Sequence, residues 1–372
     1  MTATVPFAAF DRRFADWGDA LVECVAEVAA ADEFILKSRV VALESAIAAK
    51  VGARHAVACA NGTGALTLIL SGLGIGPGDE VVTPAFSFVS SASAVALVGA
   101  RPAFADVSLD TMALEPEAAR RALTARTAAL LPAHLFCHTA PMAALRDLAG
   151  REGLRLVEDS AVTLGGTVDG LPTGRWGTAG VYSFFPAKPL GGCGDAGMVV
   201  TDDDALATAC RALRNHGQTV RFRHDLLGFN CRMDEVTAAF LLRRLADFDR
   251  QAAARRALAD RYGSRLRALG PAVVAPPAGP SGRAVYTYVI RAAERDALRA
   301  YLARRGIETA VTYPRPLHLQ PAFGHLGHGP GDFPNAERLA RECLALPLYP
   351  ELPLETADRV ADAVEDFAAA GA

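Results

Sequence analysis

Lys188 follows the apolar run Val181-Tyr182-Ser183-Phe184-Phe185 and precedes a glycine-rich stretch, Gly191-Gly192-Cys193-Gly194-Asp195. That order predicts a strand delivering an amine to a site. Upstream, Leu154-Arg155-Leu156-Val157-Glu158-Asp159 has the same form, a short apolar strand with acid at its carboxyl end, where open α/β sheets hold ligands. A lysine can join an aldehyde as an imine, and a buried carboxylate can keep a pyridine nitrogen protonated so that the ring accepts electrons from a developing carbanion. An amine and an acid so placed are what pyridoxal phosphate chemistry needs, and Lys188 and Asp159 fit the two roles. Singly, each has an ordinary reading: a lysine after a strand is usually a solvated surface residue, and a strand-end Asp is often only a helix cap.

A third element is Ala60-Asn61-Gly62-Thr63-Gly64-Ala65-Leu66, which follows the apolar run Ala56-Val57-Ala58-Cys59 and opens a helical stretch through Leu70. Free backbone N–H groups at such a helix start bind phosphate, and glycines let the anion approach. The same Gly-Thr-Gly also reads as a plain tight turn. Ser183 can add a hydroxyl to that phosphate, although ordinary strand alternation accounts for it equally.

These pieces, in this order, resemble the DegT/DnrJ/EryC1/StrS sugar aminotransferases, a branch of the fold-type I pyridoxal phosphate enzymes. The resemblance covers nearly the whole chain. It is carried by Gly62-Thr63 with Ala65-Leu66, Gly78-Asp79-Glu80-Val81-Val82-Thr83-Pro84, Glu158-Asp159-Ser160-Ala161, Ser183-Phe184-Phe185-Pro186-Ala187-Lys188, Arg214-Asn215-His216-Gly217 and Gly228-Phe229-Asn230-Cys231-Arg232-Met233. The carboxyl part adds Pro316-Leu317-His318-Leu319-Gln320-Pro321 and Leu346-Pro347-Leu348-Tyr349-Pro350. The resemblance implies that Lys188 is the Schiff-base lysine and proton carrier, and that Asp159 pairs with the pyridinium nitrogen. It implies further that Phe88 stacks on the cofactor ring, that Thr63, Gly64 and Ser183 cradle the phosphate, and that Asn230 reaches the phosphate of the neighbouring subunit. The active site would then belong to a homodimer. For Phe88 the alternative is a strand aromatic in the core.

Three positions depart from the family pattern. Val162 stands where a Gln or His by the cofactor ring is usual, and an apolar side chain cannot donate that hydrogen bond. Lys37 replaces a glycine in the amino-terminal loop that approaches the partner's site. Cys137, in Phe136-Cys137-His138, also stands in place of a glycine. For the substrate, Arg221, Arg223, His224 and Lys37 are candidates to meet a diphosphate, with a solvated loop as the alternative reading. Tyr313 and His318 match family positions on the sugar side, and a structural role fits either as well.

The chain has 372 residues, 51% hydrophobic and 21% charged, with a net charge of −3. This is the composition of a folded globule, and no basic excess recruits nucleic acid. Seven cysteines, at 24, 59, 137, 193, 210, 231 and 343, show no Cys-x-x-Cys spacing, which predicts reduced thiols in cytoplasm. Cys193 reads as a small residue in a glycine-rich loop, and no zinc-spaced ligand set appears. The start, Met1-Thr2-Ala3-Thr4-Val5-Pro6, does not read as a signal peptide, and no apolar run reaches membrane-spanning length.

Amphipathic helices are expected around Trp17 to Ala30 and Val40 to Val51. Apolar strands then alternate with helical stretches, at Glu80 to Thr83, Arg101 to Ala105, Thr127 to Pro132, Leu154 to Glu158, Gly180 to Phe185 and Gly197 to Thr201. Such alternation predicts an α/β fold with a mostly parallel central sheet and helices on both faces. Helices are expected over Asp234 to Arg250 and Ala252 to Leu269. A Pro-rich passage at Pro271, Pro276, Pro277 and Pro280 leads to a strand at Ala284 to Ile290 and a helix at Arg295 to Arg305. The expected division is an N-terminal segment and large cofactor-binding domain over 1–250 and a small α+β domain over 251–372.

The activity this implies is amination of a keto group on a nucleotide-linked sugar, or a related cyclitol, with glutamate or glutamine as donor, in secondary-metabolite or cell-surface sugar biosynthesis. Val162 keeps open an atypical step such as elimination. A regulatory protein that binds the cofactor without turnover is a third possibility, weakened by the intact Lys188, Asp159 and Ser183.

Overall fold

The computed structural model describes residues 4–15, 17–279 and 282–370. Pro280 and the first three residues of the amino-terminal stretch lie outside them. Seven strands form the central sheet: β1 (His55–Cys59), β2 (Glu80–Pro84), β3 (Arg101–Ala105), β4 (Thr127–Leu130), β5 (Arg155–Asp159), β6 (Ala179–Ser183) and β7 (Gly197–Thr201). Their order is β1-β7-β6-β5-β4-β2-β3. β7 runs antiparallel to both β1 and β6, and the remaining pairs are parallel.

Alternation along the strands explains the two covered faces. Val57, Val181 and Val199 point into one core with Leu66 and Ile69 of the helix Gly62–Gly72. Ala58, Tyr182, Met198 and Val200 point into the other, against Leu43 and Ile47 of the helix Ser38–Val51. Strands buried on both sides lose the polar alternation of surface strands, which is why they read as continuous apolar runs.

A third core gathers Leu258, Tyr262, Ile290, Leu298, Leu344 and Val360 with Val5 and Ala9 from the amino-terminal segment. It is built on a small antiparallel sheet of β8 (Val273–Val274), β9 (Tyr288–Ala292) and β10 (Cys343–Leu346). The helix Phe248–Leu266 joins two cores, giving Phe248 to the one beneath the central sheet and Tyr262 and Leu266 to the third.

Element ends differ from expectation in ways that matter for the site. β5 and β6 close on Asp159 and Ser183, so both side chains stand at the carboxyl edge. The strand expected from Ala284 starts only at Tyr288, because the Tyr286 N–H is taken by the Phe136 carbonyl at 2.9 Å instead of a strand partner. The helices expected over Asp234 to Arg250 and Ala252 to Leu269 run over Glu235–Leu245 and Phe248–Leu266.

One acid organises the amino-terminal approach. The residue before the helix Ser38–Val51 is Lys37, which offers no side-chain cap. Glu235, fully buried, substitutes for it by accepting the N–H groups of Lys37 at 2.6 Å, Arg39 at 2.8 Å and Val40 at 3.2 Å. A carboxylate at a helix start meets both the orphan donors and the positive end of the dipole. Removing it in Glu235→Ala strands buried donors at a cost of about 2–4 kcal/mol, measured as a lower urea midpoint with an unchanged m-value. A change below about 0.5 kcal/mol would contradict this capping role.

Candidate active site

Pleating at the end of β5 sends Glu158 and Asp159 to opposite sides of the sheet. Glu158 is fully buried and accepts from His134 Nε2 at 2.7 Å, Ser160 Oγ at 2.9 Å, the Trp176 N–H at 3.0 Å and the Gly174 N–H. His134 Nδ1 accepts the Ala140 N–H at 2.9 Å, which leaves the imidazole proton on Nε2, facing Glu158. The strand end is thereby held rigid from behind.

Asp159 faces the other side and is 8% exposed. Its Oδ1 accepts the Ala161 N–H at 3.2 Å and its Oδ2 accepts the Ser91 hydroxyl at 3.1 Å. Ser91 has one proton to give, so Ser87 at 2.9 Å must donate to Ser91, forming a short hydroxyl chain that ends on the acid. Burial raises the Asp159 carboxyl above its ordinary range, opposed by these hydrogen bonds and by Lys188. Lys188 shows the mirror effect: burial lowers its amine to about 8, and Asp159 pulls it back up. Its Nζ lies 4.7 Å from the ring centroid of Tyr286. The structure thus brings together the two residues that the strand ends singled out.

The turn before the helix Gly62–Gly72 packs against the ends of β6 and β7. Asn61 caps the helix by accepting the Gly64 N–H at 2.7 Å. A Cβ on Gly62 would lie 3.2 Å from Ser183 Cβ, and one on Gly197 only 2.4 Å from the Asn61 carbonyl carbon. Glycine at these positions lets the helix start approach Ser183 closely. Thr63 Oγ1 and Ser90 Oγ are 2.7 Å apart. Beneath the turn, the Cys59 thiol donates to the Asn61 carbonyl at 3.4 Å and adjoins Cys231, and this neighbour raises the Cys59 thiol and lowers that of Cys231.

Aromatic rings wall the opposite side. Phe88 is 55% exposed, so it is not a core residue, and its ring lies 6.1 Å from that of Tyr313. Tyr313 also meets Phe86 at 5.7 Å and Phe136 at 6.0 Å. Burial raises its phenol, with Tyr286 and Asp159 as near neighbours. Phe136 takes the left-handed backbone, at φ 62°. Cys137 does not, so its position needs no glycine, and its thiol packs into the third core. Val162 is buried.

Other expected residues lie apart. Of the two readings of His318 the structure matches the structural one: its side chain is fully buried, with Nε2 3.2 Å from Glu337 and its ring against Phe333 at 4.7 Å. Lys37 is exposed. Arg221 stacks on Phe222, Arg223 pairs with Asp225 at 2.9 Å, and His224 Nδ1 meets the His216 carbonyl at 2.9 Å, all on an exposed hairpin. Asn230 is exposed and accepts from Arg232 Nε at 3.1 Å. Sequence reasoning missed Ser87, Ser91, His134 and Tyr286. A serine run, Ser87 to Ser93, in an otherwise apolar segment was the available signal for the first two.

The residues present fit pyridoxal 5′-phosphate: an amine beside a buried acid, an exposed aromatic face, and a glycine turn at a helix start open to an anion. In Gly64→Ala the new Cβ would sit 2.5 Å from Cys231 Sγ. The expected outcome is a cofactor dissociation constant raised about tenfold or more, in line with overpacking costs, and partly restored in Gly64→Ala/Cys231→Ala. An absorbance titration that finds single and double variants equal would contradict that contact.

Comparison with known proteins agrees with this geometry. The model of the DegT/DnrJ/EryC1/StrS aminotransferase family matches residues 16–365. The chain is 40% identical to a pleiotropic regulatory protein of Geobacillus stearothermophilus, over 98% of each chain. It is also 40% identical to the dTDP-3-amino-3,4,6-trideoxy-alpha-D-glucose transaminase of Streptomyces venezuelae, over 99% of this chain and 97% of that one. The crystal structure of S. venezuelae DesV in complex with a ketimine intermediate superposes with a TM-score of 0.94 at 39% identity, covering 99% of both chains. A buried lysine and acid at the carboxyl edge of this sheet, together with these likenesses, give one conclusion: the chain belongs to the DegT/DnrJ/EryC1/StrS family of pyridoxal phosphate-dependent aminotransferases of fold type I.

Proposed function

We propose that this aminotransferase converts a keto group of a nucleotide-linked sugar, or a related cyclitol, to an amine, with glutamate or glutamine as donor. The observation that carries the reading is the buried pair of Lys188 and Asp159 beside a glycine-lined helix start. The S. venezuelae relative, named for a dTDP-linked amino sugar, supports the substrate class.

When bound, the cofactor supplies an electron sink for the carbanion formed as the substrate loses a proton. Lys188 Nζ takes that proton and returns it, which requires a neutral amine, and an amine titrating near 8 is partly neutral at physiological pH. Asp159 holds a positive ring nitrogen, and the hydroxyl chain of Ser87 and Ser91 fixes the carboxylate plane. Thr63, Gly64 and Ser183 bind phosphate, and Phe88 covers one ring face and excludes water.

The exposed hairpin adds the second half of the reading. Its apolar side chains, Phe222 at 79% and Leu227 at 99% exposed, are what a partner subunit would cover. The reading therefore includes a homodimer with shared sites, Asn230 reaching the partner's phosphate and Arg221, His224 and Lys37 meeting the nucleotide diphosphate. Tyr313 then lies on the sugar side. Val162 favours a second reading, an atypical elimination, because it gives the ring no hydrogen-bond donor; incubation with glutamate separates the two, since only transamination yields the pyridoxamine spectrum.

Three outcomes test the proposal. Lys188→Ala loses the visible band of the lysine-bound cofactor, and turnover of the matching nucleotide keto-sugar falls by about 10³-fold or more. Asp159→Asn lowers the donor half-reaction by about 10²-fold or more without lowering the melting temperature of the cofactor-free chain, because the cost of burying the carboxylate is removed along with its attraction for Lys188. With the amine near 8, the wild-type half-reaction rises about tenfold per pH unit below pH 7 and levels off above about 8. A flat profile from pH 6 to 9 would remove Lys188 from the proton transfer.

A further inference from the structure

We propose that Tyr286 is the positioning residue for the Lys188 amine, its ring face holding the ammonium whenever Lys188 is not joined to the cofactor. The proposal rests on the reading of Lys188 as the cofactor-bound proton carrier. Lys188 Nζ lies 4.7 Å from the Tyr286 ring centroid, inside the roughly 6 Å at which a cation is drawn to an aromatic face. The ring is fixed from both sides of its own backbone. The Tyr286 N–H donates to the Phe136 carbonyl at 2.9 Å, and the Tyr286 carbonyl accepts Arg255 NH1 at 2.8 Å. Arg255 is itself buried and also donates to the Leu348 carbonyl at 3.3 Å. These bonds are why the segment before β9 leaves the sheet, so the departure from strand geometry at Tyr286 has a consequence at the amine.

The groups facing the amine set opposing demands. Asp159, from β5, attracts the ammonium, while burial favours the neutral form. Tyr313 adjoins both Tyr286 and Asp159 and carries no charge, its phenol being raised by burial. An ammonium drawn fully onto Asp159 would occupy the carboxylate needed at the ring nitrogen. A ring face offers the cation a second resting place that takes no hydrogen-bond acceptor from the site. Tyr286 would therefore retain the protonated lysine within reach of the cofactor while leaving Asp159 to its own task.

The test uses the pyridoxamine phosphate form of the full chain, in which Lys188 is a released amine. The chain has only three lysines, at 37, 50 and 188, so carbamoylation by cyanate can be followed at each by peptide mass spectrometry across pH 6 to 10. Losing the ring face in Tyr286→Leu or Tyr286→Met destabilises the ammonium, lowers the apparent pKa at Lys188 and raises its labelling at pH 7 by roughly three- to tenfold. Tyr286→Phe keeps the face and should titrate as wild type, and Lys37 and Lys50 should be unchanged throughout. Either ring-deleting variant suffices if the other fails to fold. Wild-type titration of Lys188 in both, or an equal shift in Tyr286→Phe, would overturn the proposal. The same labelling on the cofactor-free chain separates the two hypotheses: a shift there without any donor half-reaction would sink the aminotransferase reading and leave the role of Tyr286 standing.

Discussion

An amine and a carboxylate buried together at one end of a parallel sheet are the constraint on which the rest of this molecule depends. Water would leave Lys188 fully protonated and unable to accept a proton, whereas Asp159 needs its charge to hold a positive ring nitrogen. Removal from water moves both toward neutrality, the amine to about 8 and the carboxyl upward, and their mutual attraction limits how far either goes. Such a pair is costly to bury, and it persists because the surrounding structure supplies hydrogen bonds in fixed geometry.

That surrounding structure is largely a set of buried polar anchors. Glu158 ties β5 to His134 and to the Gly174 and Trp176 backbone, so the strand end cannot shift when the acid beside it changes charge. Glu235 fixes the loop carrying Lys37 and the start of the helix Ser38–Val51. Gly197 lets β7 press against the Asn61 backbone where a Cβ would collide, and Gly62 keeps the helix start in tight contact with Ser183. Each anchor acts at the point where a regular element gives way to the site, which is where backbone groups lose their ordinary partners.

The pairing of Lys188 with Asp159 was legible in the sequence because it is carried by local patterns. Strand-end acid, strand-end lysine and glycine turn each announce themselves within a few residues, and strand alternation explains why the parallel sheet could be read from apolar runs. Long-range partnerships were not legible. Ser91 meets Asp159 across 68 positions, and Glu235 meets Lys37 across 198, distances over which no periodicity connects two residues. His318 could be read either way for the same reason: a family-like position says nothing about whether a ring faces a site or a core, and here Glu337 and Phe333 adjoin it. Cys137 looked incompatible with a glycine position, yet the left-handed residue is its neighbour Phe136.

The most direct measurement of the central claim is chemical. Cofactor-loaded protein, reduced with borohydride and digested, reports by mass which of the three lysines carries the pyridoxyl group. The account predicts a single modified peptide containing Lys188, lost when the protein is first converted to its pyridoxamine form. A label on Lys37 or Lys50, or no label on any lysine in protein that holds the cofactor, would contradict it.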